Sequence, residues 1–254
     1  MISHEPPPGA VAPLWTTVAE TYHTLAGNIR ALAKMIVVPT GLGMGIIFVA
    51  PLLASPWLDV VLHFLFLLGW TLLGVSWLRL LLLEDKRVSR LFPRLTRRHL
   101  RFAGYALLLS VLDLPLLFGW HYLADQVASG PLSELVYWLT YVFLGFIRLR
   151  FAFVYPATAV DERYGLMLAW RHSQSAALPL FGIFLIIVVA PFAALSYGLN
   201  ALMASDHLPY LWWSLWHVGI WIIEAAYATI IAVAFRRVTG WVPAPDKEVL
   251  ERFD

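Results

Sequence analysis

The chain has 254 residues, 60% of them hydrophobic, with a mean hydropathy of +0.73 and a formal net charge of +2. That composition excludes a soluble globular protein. The pI near 8.9 follows from where the basic residues sit along the chain, and we do not read it as a nucleic-acid-binding surface. With no cysteine, the chain cannot form disulfides, thiolate metal sites or cysteine nucleophiles.

Residues 1–13 contain Glu5, four prolines and no basic residue, unlike a secretory signal, and are expected to form a disordered cytoplasmic tail. Leu14, Val18, Tyr22, Leu25, Ile29 and Leu32 then recur at spacings of three and four, with polar residues between them. This predicts an amphipathic helix lying on the inner leaflet. Six apolar stretches follow, at 36–54, 57–83, 102–124, 132–154, 178–204 and 211–235. Each is long enough for a bilayer core of about 30 Å, which takes about 20 helical residues. A second amphipathic helix is predicted from Asp161 to Ser175, with Asp161 and Glu162 in its first turn, where carboxylates favour the helix dipole. Residues 238–254 read as a short cytoplasmic C-terminal tail, leaving 14–237 as one membrane domain. No stretch outside the spans is long enough to bury a soluble core.

Sidedness follows from charge. With a cytoplasmic N-terminus, the outer turns 55–59, 125–134 and 205–210 hold no Lys or Arg. The inner segments hold Arg30, Lys34, the run Lys86, Arg87, Arg90, Arg94, Arg97, Arg98 and Arg101, then Arg163, Arg171, Arg236 and Arg237. Positive charge near short loops stays cytoplasmic, so the predicted architecture is an all-α polytopic bundle of six spans with both termini inside. The run from Arg87 to Arg101 is expected to bind anionic lipid on that face, or to dock an acidic partner.

Several local features refine this picture. Pro51, Pro115 and Pro191 fall inside spans and predict kinks. Gly41 and Gly45 form a GxxxG pair suited to close helix approach. The segment around Glu20, Leu25 and Arg30 aligns with that around Asp161, Leu166 and Arg171, and residues 48–55 align with 188–195. These alignments suggest an internal repeat of helical hairpins.

The stretch from Arg148 to Ser173, with Arg148, Pro156, Asp161, Trp170 and Ser173, resembles the most recognisable segment of a bacterial membrane superfamily. That superfamily includes the YciC-like inner-membrane proteins and the membrane domain attached to some glycerophosphodiester phosphodiesterases. The resemblance implies a six-span bacterial inner-membrane protein. It implies no catalysis, because in the fused relatives catalysis belongs to a soluble domain.

Asp113 and Glu224 lie near the middle of spans, where a charge costs at least about 2.5 kcal/mol and therefore faces a partner or water. His217 precedes Glu224 by two turns on nearly the same helix face. These residues, with Arg148 and Arg150, form a candidate polar intramembrane site. Either the acids pair with the arginines and hold the bundle together, or they line a proton, cation or polar-substrate path. Arg148 and Arg150 also suit snorkelling to lipid phosphates. Asp59 with His63 and His121 with Asp125 have metal-ligand spacing, and Asp206 adjoins His207, but no metal or other cofactor is expected. No P-loop, HExxH, GxSxG or dinucleotide fingerprint occurs. The expectation is a non-enzymatic scaffold or accessory protein of the inner membrane, in envelope homeostasis, with lipid and a membrane-protein partner or second copy. The alternative is a small transporter or channel using Asp113 and Glu224.

Overall fold

The computed structural model describes residues 14–53, 58–83, 95–126, 131–203 and 209–243, and side chains within 16–45, 64–83, 95–111, 139–198 (except 141) and 214–243. Among the described residues the chain is all-helical. The elements are α1 (Leu14–Gly27), α2 (Ile29–Leu53), α3 (Leu58–Leu83), α4 (Arg97–Gln126), α5 (Pro131–Phe151), α6 (Val154–Ala159), α7 (Leu166–Ser173), α8 (Ala177–Phe184), a π-helical turn (Leu185–Val189), α9 (Ala190–Met203) and α10 (Pro209–Thr239). Phe64–Leu83, Ala177–Gly198 and Ser214–Thr239 are long and apolar enough to cross a membrane. Of these windows, 61% is buried in α3 and in α10, against 17% in the α8–α9 segment. The first two are therefore the centre of the bundle, and α8–α9 lies at its edge.

The core gathers where the C-terminal halves of α3 and α10 meet the start of α4 and the whole of α6. Val75, Trp77, Leu78, Phe102, Phe153, Val154, Ala157, Ala225, Ile230 and Phe235 are all buried there. Trp77 finds a partner for its indole N–H inside this core: Nε1 donates to Thr229 Oγ1 at 2.9 Å, and that hydroxyl donates to Ala225 O at 2.7 Å. Gly74 admits the ring of Phe102, since a Cβ there would lie 2.6 Å from Phe102 Cζ. Phe102 then meets Tyr155 at 4.7 Å and Trp70 at 5.8 Å between ring centroids, with Tyr227 6.1 Å from Trp70. α6 is buried along its entire length. Its small side chains permit this, and Pro156 sits in its first turn, where a missing N–H leaves no hydrogen bond unmade. Large apolar side chains such as Phe64, Leu107, Val111 and Phe143 remain on the outward faces of the long helices, as does Ile186 in the π turn.

Four local expectations are corrected. First, α1 does not turn its whole apolar stripe to one side. It buries Thr17, Val18 and Thr21, with α10 and α8 as its main neighbours, and leaves Tyr22 and the following Ile29 exposed. The threonines can be buried because Thr21 Oγ1 bonds back to Thr17 O at 2.8 Å.

Second, Asp161 and Glu162 do not open α7, which starts at Leu166 after Gly165. They close α6: the Glu162 N–H reaches Ala157 O at 2.9 Å and the Asp161 N–H reaches Thr158 O at 3.3 Å. That is the hydrogen-bond pair of a Schellman cap, with Asp161 in the left-handed region at φ 62°.

Third, Gly41 and Gly45 have no neighbour within 4 Å of a built Cβ, and Gly43 between them makes the close approach.

Fourth, the two aligned stretches fold differently. α1 and α2 are separated by Asn28 alone, whereas α7 is followed by a turn, α8 and the π turn. The π turn precedes Pro191, which has no N–H to give Ile187 O, so the helix widens and the Ala190 N–H bonds to Leu185 O. Pro51 and Pro115 lie inside continuous α2 and α4.

Candidate functional site

A helix leaves its last four carbonyls without intrahelical partners, and in a packed bundle these need donors. Arginines from neighbouring helices supply them. Arg236 of α10 donates to Leu81 O and Leu82 O at 2.6 and 2.8 Å, at the end of α3. Arg79 of α3 donates to Ala159 O at 3.1 Å, the last carbonyl of α6. Arg150 of α5 donates to Trp170 O at 3.0 Å, in the final turn of α7. Each cation also meets the negative end of a helix dipole. Arg150 is 7% exposed, and its Cζ lies 4.2 Å above the Trp170 ring. Ser173 Oγ donates to Arg150 O at 2.8 Å and lies 3.1 Å from Trp170 O, so its one hydrogen is shared between the two carbonyls. Arg150, Trp170 and Ser173 thus tie α5 to α7, and in the segment resembling the YciC-like pattern it is Arg150, not Arg148, that reaches Trp170 and Ser173.

Carboxylates complete this end of the bundle. Asp161 pairs with Arg98 and, at 3.0 Å, with Arg101, both in the first turns of α4. Glu162 Oε1 accepts from Trp241 Nε1 at 3.2 Å. Arg237 pairs with Glu20 and donates to Thr17 Oγ1 at 2.8 Å, which fixes α1 to the end of α10.

Two titratable groups lie here, before the predicted third span and between the fourth and fifth. At the start of α4, His99 Nδ1 accepts from the Thr96 N–H at 3.1 Å and lies 2.9 Å from Thr96 Oγ1. This is one half of a capping box, the bond back to the N-cap N–H, with histidine in the position usually held by Glu or Gln. Burial, then the charges of Arg98 and Arg79, hold the imidazole below its ordinary range. Tyr164 Oη lies 2.6 Å from His172 Nδ1, and burial pushes the phenol up to about 12.

A second polar zone lies halfway along α10. Glu224 is at the centre of that helix, is partly buried, and has the Arg148 guanidinium close enough to act on its carboxylate. His217 packs its imidazole over Gly43 of α2, where a Cβ would come within 2.2 Å of Cδ2. Beside it, Ser214 Oγ donates to Met44 Sδ at 3.2 Å. Trp221 stacks on Phe66 at 5.1 Å.

The five predicted site residues therefore separate. Arg148 and Glu224 interact, His217 serves the contact with α2, and Arg150 is committed to α7. The side chain of Asp113 lies outside the described residues. Of the predicted lipid-binding run, Arg98 and Arg101 are held by Asp161, Arg97 is exposed, and Arg87, Arg90 and Arg94 lie outside the described residues. The paired residues Asp59, His63, His121, Asp125, Asp206 and His207 also fall outside the described side chains. Sequence reasoning missed the capping roles of Arg79, Arg150 and Arg236. Thr96-x-x-His99 was the one legible signal, a capping-box spacing before an apolar run.

No family model matches the chain, and neither a curated protein nor a solved structure is significantly similar to it.

Proposed function

We propose that the chain is a six-span bacterial inner-membrane protein with both termini cytoplasmic, acting as a non-enzymatic scaffold or accessory factor in envelope homeostasis. The carrying observation is the arginine-capped, close-packed end of the bundle. There Arg79, Arg150 and Arg236 bond to carbonyls at helix ends, and Trp77, Phe102, Phe153 and Phe235 fill the interior. Among the described residues, this end is given over to helix capping and aromatic packing, which supports a structural role. The resemblance to YciC-like proteins supports the same reading. Lipid, and a membrane-protein partner or second copy, are its partners.

Because the chain has no cysteine, its topology can be read from single introduced cysteines. Ser55→Cys and Ser205→Cys are expected to react with an impermeant maleimide from outside, and Thr96→Cys only from inside. Labelling of Thr96→Cys from outside would contradict the topology. Glu224→Gln and Asp113→Asn are expected either to lower folded yield or to leave the phenotype intact.

The second reading is a small transporter, favoured by Glu224 and Arg148 meeting halfway along a 31-residue helix. Its signature is selective loss of a flux in Glu224→Gln at normal folded yield.

A further inference from the structure

The described cations differ in whether the chain itself holds them. Arg79, Arg98, Arg101, Arg150, Arg236 and Arg237 are bound to carbonyls or carboxylates of the chain itself. Among the exposed cations whose side chains make no hydrogen bond or ion pair among the described residues, which include Arg30, Lys34 and Arg97, are Arg163 and Arg171. Both flank or belong to α7. Its inner face is fixed by buried Ala169 and Ser173. Its outward face carries Met167 at 67% and Leu168 at 38% exposure, one turn before Arg171 and His172. That face runs on into Leu178 of α8, which is 76% exposed.

Apolar side chains left bare beside cations on a rigidly held helix match neither water alone nor the acyl interior alone. They match the headgroup boundary, where apolar groups enter the acyl region and arginines meet phosphate. We propose that α7 is an in-plane anchor that binds anionic phospholipid headgroups through Arg163 and Arg171. In the run ending at Arg101, by contrast, Arg98 and Arg101 are already paired with the one carboxylate of Asp161. The inference rests on the proposed topology, which puts α7 on the cytoplasmic leaflet.

The test uses full-length protein carrying Met167→Cys labelled with an environment-sensitive fluorophore. It is reconstituted in bilayers of phosphatidylcholine and phosphatidylglycerol in equal parts. Quenching by doxyl-labelled phosphatidylglycerol is compared with quenching by doxyl-labelled phosphatidylcholine. The expected result is preferential quenching by the anionic lipid, about fivefold per cation, weakening as salt is raised. Arg163→Gln with Arg171→Gln abolishes the preference, and Arg163→Lys with Arg171→Lys keeps it. Arg98→Gln with Arg101→Gln keeps the preference while lowering thermal stability. Equal quenching by the two lipids in the parent overturns the proposal, as does loss of preference in the Arg98/Arg101 variant alone. The salt dependence is read on the parent, so the proposal stays testable if a variant does not fold. Maleimide reaching Met167→Cys from outside is a different failure, of the topology rather than of the lipid site.

Discussion

Asp161 combines two functions that substitution can separate. Its backbone is left-handed at φ 62°, which an alanine adopts at a cost of about 1–2 kcal/mol and which Asn or Asp tolerates. Its carboxylate holds Arg98 and Arg101. All three side chains are partly exposed, so each pair contributes about 0.2–1 kcal/mol. Asp161→Asn keeps the backbone preference and loses both ion pairs, for an expected loss of about 1 kcal/mol. Asp161→Gly suits the conformation and loses the same pairs. It adds about 0.5–1 kcal/mol of unfolded-state entropy, so it falls at or slightly below Asn. Asp161→Ala loses charge and conformation together, an expected loss of about 2–3 kcal/mol. Thermal unfolding in mild detergent, followed by tryptophan emission at low and high salt, ranks the three. The Asn variant's deficit is expected to shrink in salt, and the extra deficit of Ala over Asn is not. An Ala variant as stable as Asn refutes the backbone part of the reasoning. An Asn variant indistinguishable from the parent at low salt refutes the ion-pair part.

Gly43→Ala drives a methyl to within 2.2 Å of His217 Cδ2 and is expected to cost about 1–3 kcal/mol, recovered on adding His217→Ala. Gly41→Ala and Gly45→Ala meet nothing and are expected to stay within about 0.5 kcal/mol of the parent in the same melts. Thr229→Val strands the buried Trp77 N–H, for an expected loss of about 1–3 kcal/mol that falls sharply in a Trp77→Phe background, measured as a double-mutant cycle. For His99 the folded value lies below 6.5, so as pH falls the unfolded chain takes up its proton first. This group's contribution is therefore constant above pH 6.5 and stability falls as pH is lowered through the window beneath. His99→Gln keeps the capping geometry and is expected to flatten that slope, as read from melting temperature against pH.

The long helices were legible because an apolar run of span length has one good solution, a helix, and their limits need only hydropathy and turn residues. Arginine near the helix ends was legible as charge but not as hydrogen bonding. Nothing in the string 148–150 says that Arg150 reaches Trp170 O while Arg148 addresses Glu224, because the choice depends on which face of α5 meets α7. The same limit explains α1. Its threonines read as the polar face, yet Thr21 satisfies its own hydroxyl on Thr17 O and is then small enough to pack against the bundle. GxxxG misled for a related reason: close approach depends on which glycine faces a partner, and here that is Gly43. Asp161 and Glu162 carry a carboxylate signal that suits a helix start, but their backbone N–H groups were needed at a helix end.

The proposed topology also explains why the capping arginines sit where they do. With the N-terminus inside, α3, α5 and α10 all deliver their C-termini to the cytoplasmic side, gathering three negative dipole ends on the face where basic residues are retained. Arg148 and Arg150 lie in the last turn of α5, and Arg236 and Arg237 in the last turn of α10, so each favours its own helix end while Arg150 and Arg236 also cap another helix. α4 is the opposite case, because it starts on this side and its first turn carries Arg97 and Arg98, which oppose the positive end of its dipole. A carboxylate there relieves both the like charges and the dipole, and Asp161 supplies it from the cap of α6. The buried α6 is thus held at one end by Arg79 on its last carbonyl and beyond it by Asp161 on α4. Orientation signal, helix capping and placement of the central helix are in this way carried by the same few arginines.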